Sequence, residues 1–207
     1  MGSDGTVSAI KDSTKLLGLQ GRYYVQAYFA YDAHKSGGVT MSHLRFGPQP
    51  ITSQYLVEKA DYVGVHHPSY VHKLDVCRAS KMNSTLVVNT ALSPERFSAS
   101  LSAEFKHAVA SRRIKLYVAD ANSLAAEVGL GGRINTILNC IFCYLALSST
   151  FSYTRFQALL RSAVSRTYAR KGERVVASNI AAINNALSVL KSVEYSVEEW
   201  ENVSDIV

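Results

Sequence analysis

The clearest structural pattern in the chain lies in residues 85–123, which read TLVVNTALSPERFSASLSAEFKHAVASRRIKLYVADANS. Two short apolar runs, residues 85–89 and 114–119, predict strands that are buried on both faces. Between these runs, Ser93 followed by Pro94 is typical of a helix start. Four apolar side chains then recur at helical spacing and predict one helical face: Phe97, Leu101, Phe105 and Val109. This order of strand, helix and strand is typical of a parallel α/β sheet.

The residues on either side of this stretch extend the alternation. Apolar and β-branched runs predict strands over residues 22–31, 39–46 and 62–65. Helical spacing predicts helices over residues 7–17, 54–59 and 71–79. Residues 120–123 are polar and predict the cap of a further helix. Glycines and polar residues predict a loop between the first two strands, over residues 32–38.

The last third of the chain has a different pattern, because residues 133–195 predict helices only. Apolar faces occur within residues 134–145 and 156–164, and a stripe with 4-3-4-3 spacing follows: Val176, Ile180, Ile183, Leu187 and Leu190. We therefore predict an α/β fold with a mostly parallel sheet, flanking helices and an all-helical C-terminal third. The acidic segment 196–207 is expected to act as an extension or linker and to pack outside this core.

The composition narrows the class of protein and of partner. Apolar residues make up 47% of the chain and charged residues 18%, which excludes intrinsic disorder. The net charge of +6 favours either an anionic partner or a solvated basic surface. The positive charge is dispersed without a nucleic-acid-binding motif, so no nucleic-acid partner is expected. The longest apolar stretch, Cys140–Leu147, is too short to cross a membrane, so no membrane partner is expected either.

The cysteines and histidines offer little chemistry by their spacing. Three cysteines cannot supply a four-thiolate iron–sulfur site, and their odd number favours a reducing compartment. Cys140 and Cys143 are spaced as C-x-x-C, but they lie in a predicted apolar helix and are interpreted as inert core thiols. His66, His67 and His72 lack the spacing of a metal site, so no metal is expected.

Three glycine-bearing loops could bind an anion. Residues 2–7 lead into the helix that carries Lys11 and Lys15, residues 34–38 contain Lys35 and Ser36, and residues 128–135 include Arg133. Glycine allows backbone N–H groups to approach phosphate oxygens, and a helix start attracts negative charge. Each loop also has a structural interpretation, as a capping turn, a strand-to-strand turn and a helix-to-helix turn respectively.

Several motifs in this order resemble a known family. They are Gly2-Ser-Asp-Gly-Thr-Val, Tyr28-Phe-Ala-Tyr-Asp, Lys35-Ser-Gly-Gly-Val-Thr, Ser42-His-Leu-Arg-Phe-Gly, Val128-Gly-Leu-Gly-Gly-Arg-Ile-Asn and Lys171-Gly-Glu-Arg-Val-Val. Together they resemble the gamma domain of the 2-oxoacid oxidoreductases, which is the internal third domain of pyruvate:ferredoxin oxidoreductase. The resemblance covers residues 1–195 and implies an α/β domain.

The resemblance also implies a function. The family's full enzyme oxidatively decarboxylates pyruvate on thiamine diphosphate, transfers electrons through iron–sulfur clusters and makes acetyl-CoA. The thiamine and clusters belong to other domains, and this domain helps to hold coenzyme A. By motif matching, no catalytic residue is expected here, and the implied coenzyme A positions are Ser3, Asp4, Gly5, Thr6, Lys11, Lys35, Ser36, Gly37, Arg133 and Asn135. The implied partners are other domains or subunits of the enzyme and an electron acceptor. The acceptor is a ferredoxin, a flavodoxin or a flavoprotein module that passes the electrons to NADP.

The sequence departs from the family pattern at three places. Ser8-Ala-Ile-Lys11 stands where Gly-Ala-Asn-Lys is common, His34-Lys35 replaces a Lys-Lys pair, and Val65-His-His-Pro68 replaces Cys-His-Asn-Pro. A similar domain in some sulfite reductase flavoprotein subunits supplies the alternative, a structural module without coenzyme A binding. Because the chain begins inside a family motif, we expect an excerpt or a separate subunit. The expected compartment is reducing and intracellular, either cytoplasmic or a mitochondrion-related organelle.

Overall fold

The computed structural model describes residues 6–18, 21, 23–31, 39–52, 54, 56–148 and 152–203. The chain divides into two compact units. The first unit comprises residues 1–57 and 124–186, and the second comprises residues 58–123 and 187–207. Among the described residues, no helix combines the length and apolar character needed to cross a bilayer.

The elements follow one another along the chain as an alternation that ends in a helical region. In order they are α1 (Thr6–Gly18), β1 (Tyr24–Tyr31), β2 (Thr40–Gly47), β3 (Ala60–Val65), α2 (Tyr70–Lys73), β4 (Ser80–Asn89), α3 (Pro94–Ala99), α4 (Ala103–Ser111), β5 (Lys115–Ala119), α5 (Ala121–Glu127), α6 (Asn135–Ala146), α7 (Tyr153–Tyr168), α8 (Glu173–Asn185), β6 (Leu190–Ser192) and α9 (Val197–Glu201). Short 3₁₀ helices cover Ala169–Lys171 and Ala186–Val189.

The second unit contains a four-stranded sheet with the order β3-β4-β5-β6. The first three strands run parallel, and Val88 of β4 lies between Val65 and Val118 in the register. Leu86 and Val88 have no exposed surface, which is typical of a parallel strand covered on both faces. The predicted α/β fold with a mostly parallel sheet is therefore confirmed.

The helical face predicted around Phe97 and Phe105 is buried as expected, although two helices share it. All four of its apolar residues belong to one hydrophobic cluster of the second unit. The chain turns between α3 and α4, and a serine caps each helix. Ser93 Oγ accepts from the backbone N–H of Arg96 at 3.3 Å, and Ser102 Oγ accepts from that of Phe105 at 3.2 Å. The second cap explains why the face continues across a helix break.

The first unit is built around an antiparallel pair, β1 and β2, in a register that runs from Tyr24 opposite Gly47 to Tyr31 opposite Thr40. Helix α1 packs on both strands and on α6. Phe46 of β2 meets Phe142 of α6 edge to face, with 6.4 Å between ring centroids. The apolar face that the sequence predicts on α6 is thereby buried.

Two side-chain hydrogen bonds fix α6 against its neighbours. Ser13 Oγ of α1 donates to Asn139 Oδ1 at 3.1 Å, and both residues are buried. Thr136 Oγ1 donates to Asn179 Oδ1 of α8 at 3.2 Å. Buried polar pairs of this kind specify one register, since a shifted helix would leave them unpaired.

The helix predicted over residues 54–59 is wrong in the described part of that segment. Arg45 Nη2 donates to the carbonyl of Leu56 at 2.7 Å, and the N–H of Val57 donates to His43 Nδ1 at 3.2 Å. Side chains of β2 therefore form hydrogen bonds with the carbonyl of Leu56 and the N–H of Val57, two backbone groups that would bond to other backbone groups in a helix.

The helix predicted over residues 71–79 is also too long, because α2 ends at Lys73. Residues 76–79 form turns, and the N–H of Ala60 donates to the carbonyl of Ala79 at 2.6 Å. This bond joins the start of β3 to the segment that enters β4. Strand β4 consequently begins at Ser80, five residues earlier than predicted.

The C-terminal region is helical as predicted, with one exception. Residues 190–192 form β6, which pairs antiparallel with β5, so the expectation of helices alone over residues 133–195 is wrong. The N–H of Val193 donates to the carbonyl of Leu116 at 2.9 Å. The heptad stripe predicts a helix through its last residue, Leu190. Leu190 instead pairs with β5, a strand distant in sequence, and this tertiary contact outweighs the local pattern.

The described part of the acidic tail, residues 196–203, packs within the second unit through Trp200, which corrects the expectation that this segment packs outside the core. Trp200 of α9 is 8% exposed and belongs to the hydrophobic cluster. Its ring stacks on Tyr195 with 4.6 Å between centroids, and the Tyr195 hydroxyl donates to the carbonyl of Ile114 at 2.8 Å. The family-domain boundary predicted after residue 195 stays a prediction.

We expect Trp200→Ala to lower the free energy of unfolding by about 3–5 kcal/mol, because it removes a large buried ring from this cluster. The measurement is urea unfolding followed by far-UV circular dichroism, since the chain has one tryptophan and the variant loses its fluorescence.

The matched control is Leu92→Ala, an apolar truncation in the same unit at a side chain that is 41% exposed. It should change the free energy by about 0.5 kcal/mol or less. Equal unfolding midpoints for the two variants would contradict the core role of Trp200.

Candidate functional site

The structure describes part of the predicted anion-binding set. Two groups lie outside the described residues, namely Ser3, Asp4 and Gly5, and Lys35, Ser36 and Gly37. Thr6 begins α1. The remaining positions, Lys11, Arg133 and Asn135, all belong to the first unit.

Asn135 and α1 are brought together by a polar contact. The Asn135 Nδ2 amide donates to Asp12 Oδ2 at 3.4 Å. Lys11 directly precedes Asp12 and is exposed, and its Nζ lies 6.0 Å from the centroid of the Phe29 ring. One contact thus joins the helix that carries Lys11 to the helix start that follows Arg133.

The Asp12 carboxyl lies in a partly buried position, and burial raises its pKa above the usual value. The amide of Asn135 and the charge of Lys15 both act in the opposite direction and favour the ionised form. Desolvation is the larger effect.

The loop before α6 has a structural role in ending α5. The N–H of Leu130 donates to the carbonyl of Ala125 at 2.7 Å, and that of Gly129 donates to Ala126 at 3.1 Å. Gly129 has φ +80°, so this is a Schellman motif with glycine in the left-handed conformation. The structural interpretation of the loop as a helix-to-helix turn therefore accounts for Gly129.

The rest of the loop leaves the start of α6 accessible to a ligand. A Cβ atom added at Gly131 or Gly132 would meet no atom within 4 Å, and Arg133 is exposed. Ile134 precedes α6 and provides no side-chain hydrogen bond as a cap. A helix start of this kind attracts anions, because its first N–H groups lack intrahelical partners.

Comparison with known proteins identifies the family. Residues 1–189 match the family model described as pyruvate ferredoxin/flavodoxin oxidoreductase. The chain belongs to this family. The recognition of the oxidoreductase family from sequence motifs is therefore confirmed.

A curated relative and two solved structures are similar to this family member. This chain is 46% identical over 201 residues to the pyruvate dehydrogenase (NADP⁺) of Cryptosporidium parvum. The aligned region covers 97% of this chain and 10% of that protein. A pyruvate oxidoreductase subunit from Thermotoga maritima superposes with a TM-score of 0.65, at 18% identity and 93% coverage of both chains.

The second structure is the 2-oxoglutarate:ferredoxin oxidoreductase of Magnetococcus marinus, solved with 2-oxoglutarate, coenzyme A and succinyl-CoA bound. It superposes with a TM-score of 0.61 at 18% identity, covering 91% of this chain and 29% of that one. At this identity both structures establish the fold alone. The chain spans between 10% and 17% of the length of the curated relatives.

The thiols of this family member are buried. Cys140 and Cys143 lie in α6 with no exposed surface, and Cys77 of the second unit is 1% exposed. Burial raises the pKa of each thiol to about 12. These thiols therefore remain protonated and unreactive at neutral pH.

The histidine cluster has a structural explanation at His67. Its Nδ1 lies 2.8 Å from Ser69 Oγ and accepts from the Ser69 N–H at 3.3 Å, and its ring contacts Tyr70. Within the described residues, no group of three histidine, cysteine, aspartate or glutamate side chains could hold a metal ion.

Asp12 is the residue that sequence reasoning missed at this site. Its partner, Asn135, lies 123 positions away along the chain, a distance that no local spacing reveals. The one signal in the sequence was that Asp12 follows Lys11 directly, in a helix that already carried a predicted coenzyme A position.

We expect a thiol reagent to modify Cys140 and Cys143 slowly in the native protein, on the order of a thousandfold slower than an exposed cysteine at about pH 8. The measurement is the time course of Ellman's reagent, with the unfolded chain defining complete reaction.

Ser162→Cys is the matched control, since it places a thiol at an exposed position of α7. That new thiol should react rapidly while the native ones do not. Rapid modification of both α6 thiols would show that they are accessible.

We expect Asp12→Asn to raise the free energy of unfolding at about pH 7, while keeping an acceptor for the Asn135 amide. The raised folded-state pKa means that the stabilising contribution of Asp12 is complete below the unfolded value of 3.8 and is lost as the pH rises through the folded pKa. Urea unfolding at several pH values measures this.

The advantage of the variant should therefore shrink toward about pH 3, where the wild-type carboxyl is protonated in both states. Glu127→Gln, at an exposed position in the same unit, controls for the change in net charge. A difference between Asp12→Asn and wild type that does not vary with pH would contradict the assignment.

Proposed function

We propose that this chain is the coenzyme A-holding domain of a larger enzyme that oxidatively decarboxylates pyruvate to acetyl-CoA. The observation that carries the proposal is the family match over residues 1–189. The name of the Cryptosporidium relative supports pyruvate as the substrate of the whole protein.

Coenzyme A as the ligand of this domain is supported by two independent observations. A protein of which 29% superposes on this chain was solved with coenzyme A bound. In this chain, the start of α6 lacks a side-chain cap and follows the exposed Arg133. The diphosphate and 3′-phosphate of coenzyme A are the kind of ligand that a helix start and an arginine together bind.

The residues of this chain would bind and orient the nucleotide end of coenzyme A. Backbone N–H groups after Gly131 and Gly132 approach phosphate oxygens closely, since neither position carries a side chain. Arg133 and Lys11 supply charge-assisted hydrogen bonds. Asn135, a coenzyme A position implied by the family motif, also joins the two helices through Asp12. The predicted positions at residues 3–6 and 35–37 complete the proposed set.

The remaining chemistry is assigned to other parts of the protein. The chain spans about a tenth of the Cryptosporidium relative. We propose that thiamine diphosphate and the iron–sulfur clusters belong to other domains of a protein of that length. We propose other domains or subunits as partners and ferredoxin, flavodoxin or a flavoprotein module as the electron acceptor. The proposed compartment is a reducing one, cytoplasmic or mitochondrion-related, with residues 1–195 as the family domain.

We expect Arg133→Ala in the assembled enzyme to raise the KM for coenzyme A by about three- to tenfold, because an exposed charge-assisted bond contributes less than the usual 1.5–3 kcal/mol. Lys35→Ala should act in the same direction. The KM for pyruvate and its decarboxylation should change little. Steady-state kinetics with each substrate varied in turn measure these effects.

The matched control is Arg155→Ala, which removes an exposed arginine from α7 of the same unit. It should leave the KM for coenzyme A unchanged. If Arg133→Ala and Lys35→Ala also leave it unchanged, the coenzyme A assignment fails, and the alternative of a structural module, as in sulfite reductase flavoprotein subunits, is favoured.

A further inference from the structure

The positive charge of the chain is concentrated on the segment that contains α7 and α8. Residues 152–185 contain six cations and one carboxylate, so their net charge is +5 in a chain whose total is +6. The cations are Arg155, Arg161, Arg166, Arg170, Lys171 and Arg174, and all of them are exposed. Within the described residues, none of them forms an ion pair. The segment therefore presents uncompensated charge to whatever approaches it.

The same segment contains an apolar groove in the first unit. The groove has a volume of about 360 Å³ and is lined by Ala169, Glu173, Val176, Ala177 and Ile180. Val176 and Ile180 continue the apolar stripe of α8, whose next member, Ile183, has no exposed surface. At Val176 and Ile180 the stripe is only half-buried, so part of a core-like face remains open.

Charge and groove coincide along the chain. Arg170 and Lys171 follow Ala169 directly, and Arg174 follows Glu173. Lys171 Nζ lies 5.4 Å from the centroid of the Tyr168 ring, which holds the lysine near the end of α7. We call this apolar strip, which has one lining carboxylate, Glu173, the α8 groove. Its basic rim is defined as the three cations that adjoin the lining residues along the chain, Arg170, Lys171 and Arg174.

We propose that the α8 groove is the docking site for an acidic amphipathic helix from another part of the same enzyme. This inference rests on the proposed function in one respect, that the chain works within a longer protein. The relatives are six to ten times its length, so a large surface of the same protein lies outside these residues.

Three features of the groove fit such a helix. Ala169 and Ala177 are small, which allows a helix backbone to approach closely. Val176 and Ile180 are four residues apart, one helical turn, and so offer a ridge against which apolar side chains of a partner helix can interdigitate. The basic rim complements glutamates or aspartates that flank the apolar stripe of the partner.

The test is site-specific photo-crosslinking in the purified, assembled enzyme. A photoreactive phenylalanine analogue at Ala177 should crosslink to a segment outside residues 1–207, and mass spectrometry should identify that segment as acidic and amphipathic. Arg170→Glu together with Lys171→Glu should reduce the yield by about tenfold, because like charges then face each other. The yield should also fall with added salt.

Arg155→Glu is the matched control. It reverses one charge near the start of α7, about 20 Å of helix from the Ala169 end of the groove by a rise of 1.5 Å per residue. It should leave the crosslink yield within about twofold of wild type. A crosslink to a basic or irregular segment, a crosslink to a second copy of residues 1–207, or no crosslink at all would overturn the proposal.

The KM for coenzyme A separates this inference from the proposed function. The two rim substitutions should lower the crosslink yield without changing that KM. A raised KM for coenzyme A in Arg133→Ala, with the crosslink yield unchanged, would support the proposed function independently of this inference.

Discussion

Helix α6 is the element on which the first unit depends, and its register is set by two buried hydrogen bonds. Asn139 of α6 accepts from Ser13 of α1, and Thr136 of α6 donates to Asn179 of α8. A shift of α6 by one turn would break both pairs and leave buried polar atoms without partners, in addition to disrupting the apolar packing. The position of Arg133 relative to Lys11, and hence the proposed coenzyme A site, follows from that register.

The fold could be predicted from the sequence wherever the signal was local. The apolar runs at 85–89 and 114–119 marked parallel strands, and Ser93 with Pro94 marked a helix start. Prediction failed where distant partners decide the conformation. Arg45 and His43 bind the backbone of Leu56 and Val57, and the carbonyl of Leu116 accepts from the N–H of Val193 next to β6. Neither partner is visible in the spacing of the segment itself, because tertiary context overrides propensity there.

The sequence predicted the residue types of the candidate site, but not which of them lie next to one another. Glycine, arginine and a helix start within residues 128–135 indicated an anion site, yet Gly129 is fully explained as the left-handed residue that ends α5. Gly131 is also left-handed, with φ +60°, so Gly132 and Arg133 are the residues that retain the ligand interpretation alone. The contact between Asp12 and Asn135 depends on two helices meeting, so only the folded chain reveals it. It also gives Asn135 a structural task beside the binding role implied by the family motif.

The division of the chain into units has a consequence for the order of synthesis. The last residue of the first unit is 186, whereas the second unit needs residues from 187 onward for β6 and for Trp200. On the ribosome, residues 58–123 therefore emerge early but wait for the final stretch before their sheet edge and hydrophobic cluster are complete. Such delayed pairing between distant segments leaves apolar surface exposed during translation. The second unit, although it contains the regular parallel sheet, is the part of the chain that we expect to finish folding last.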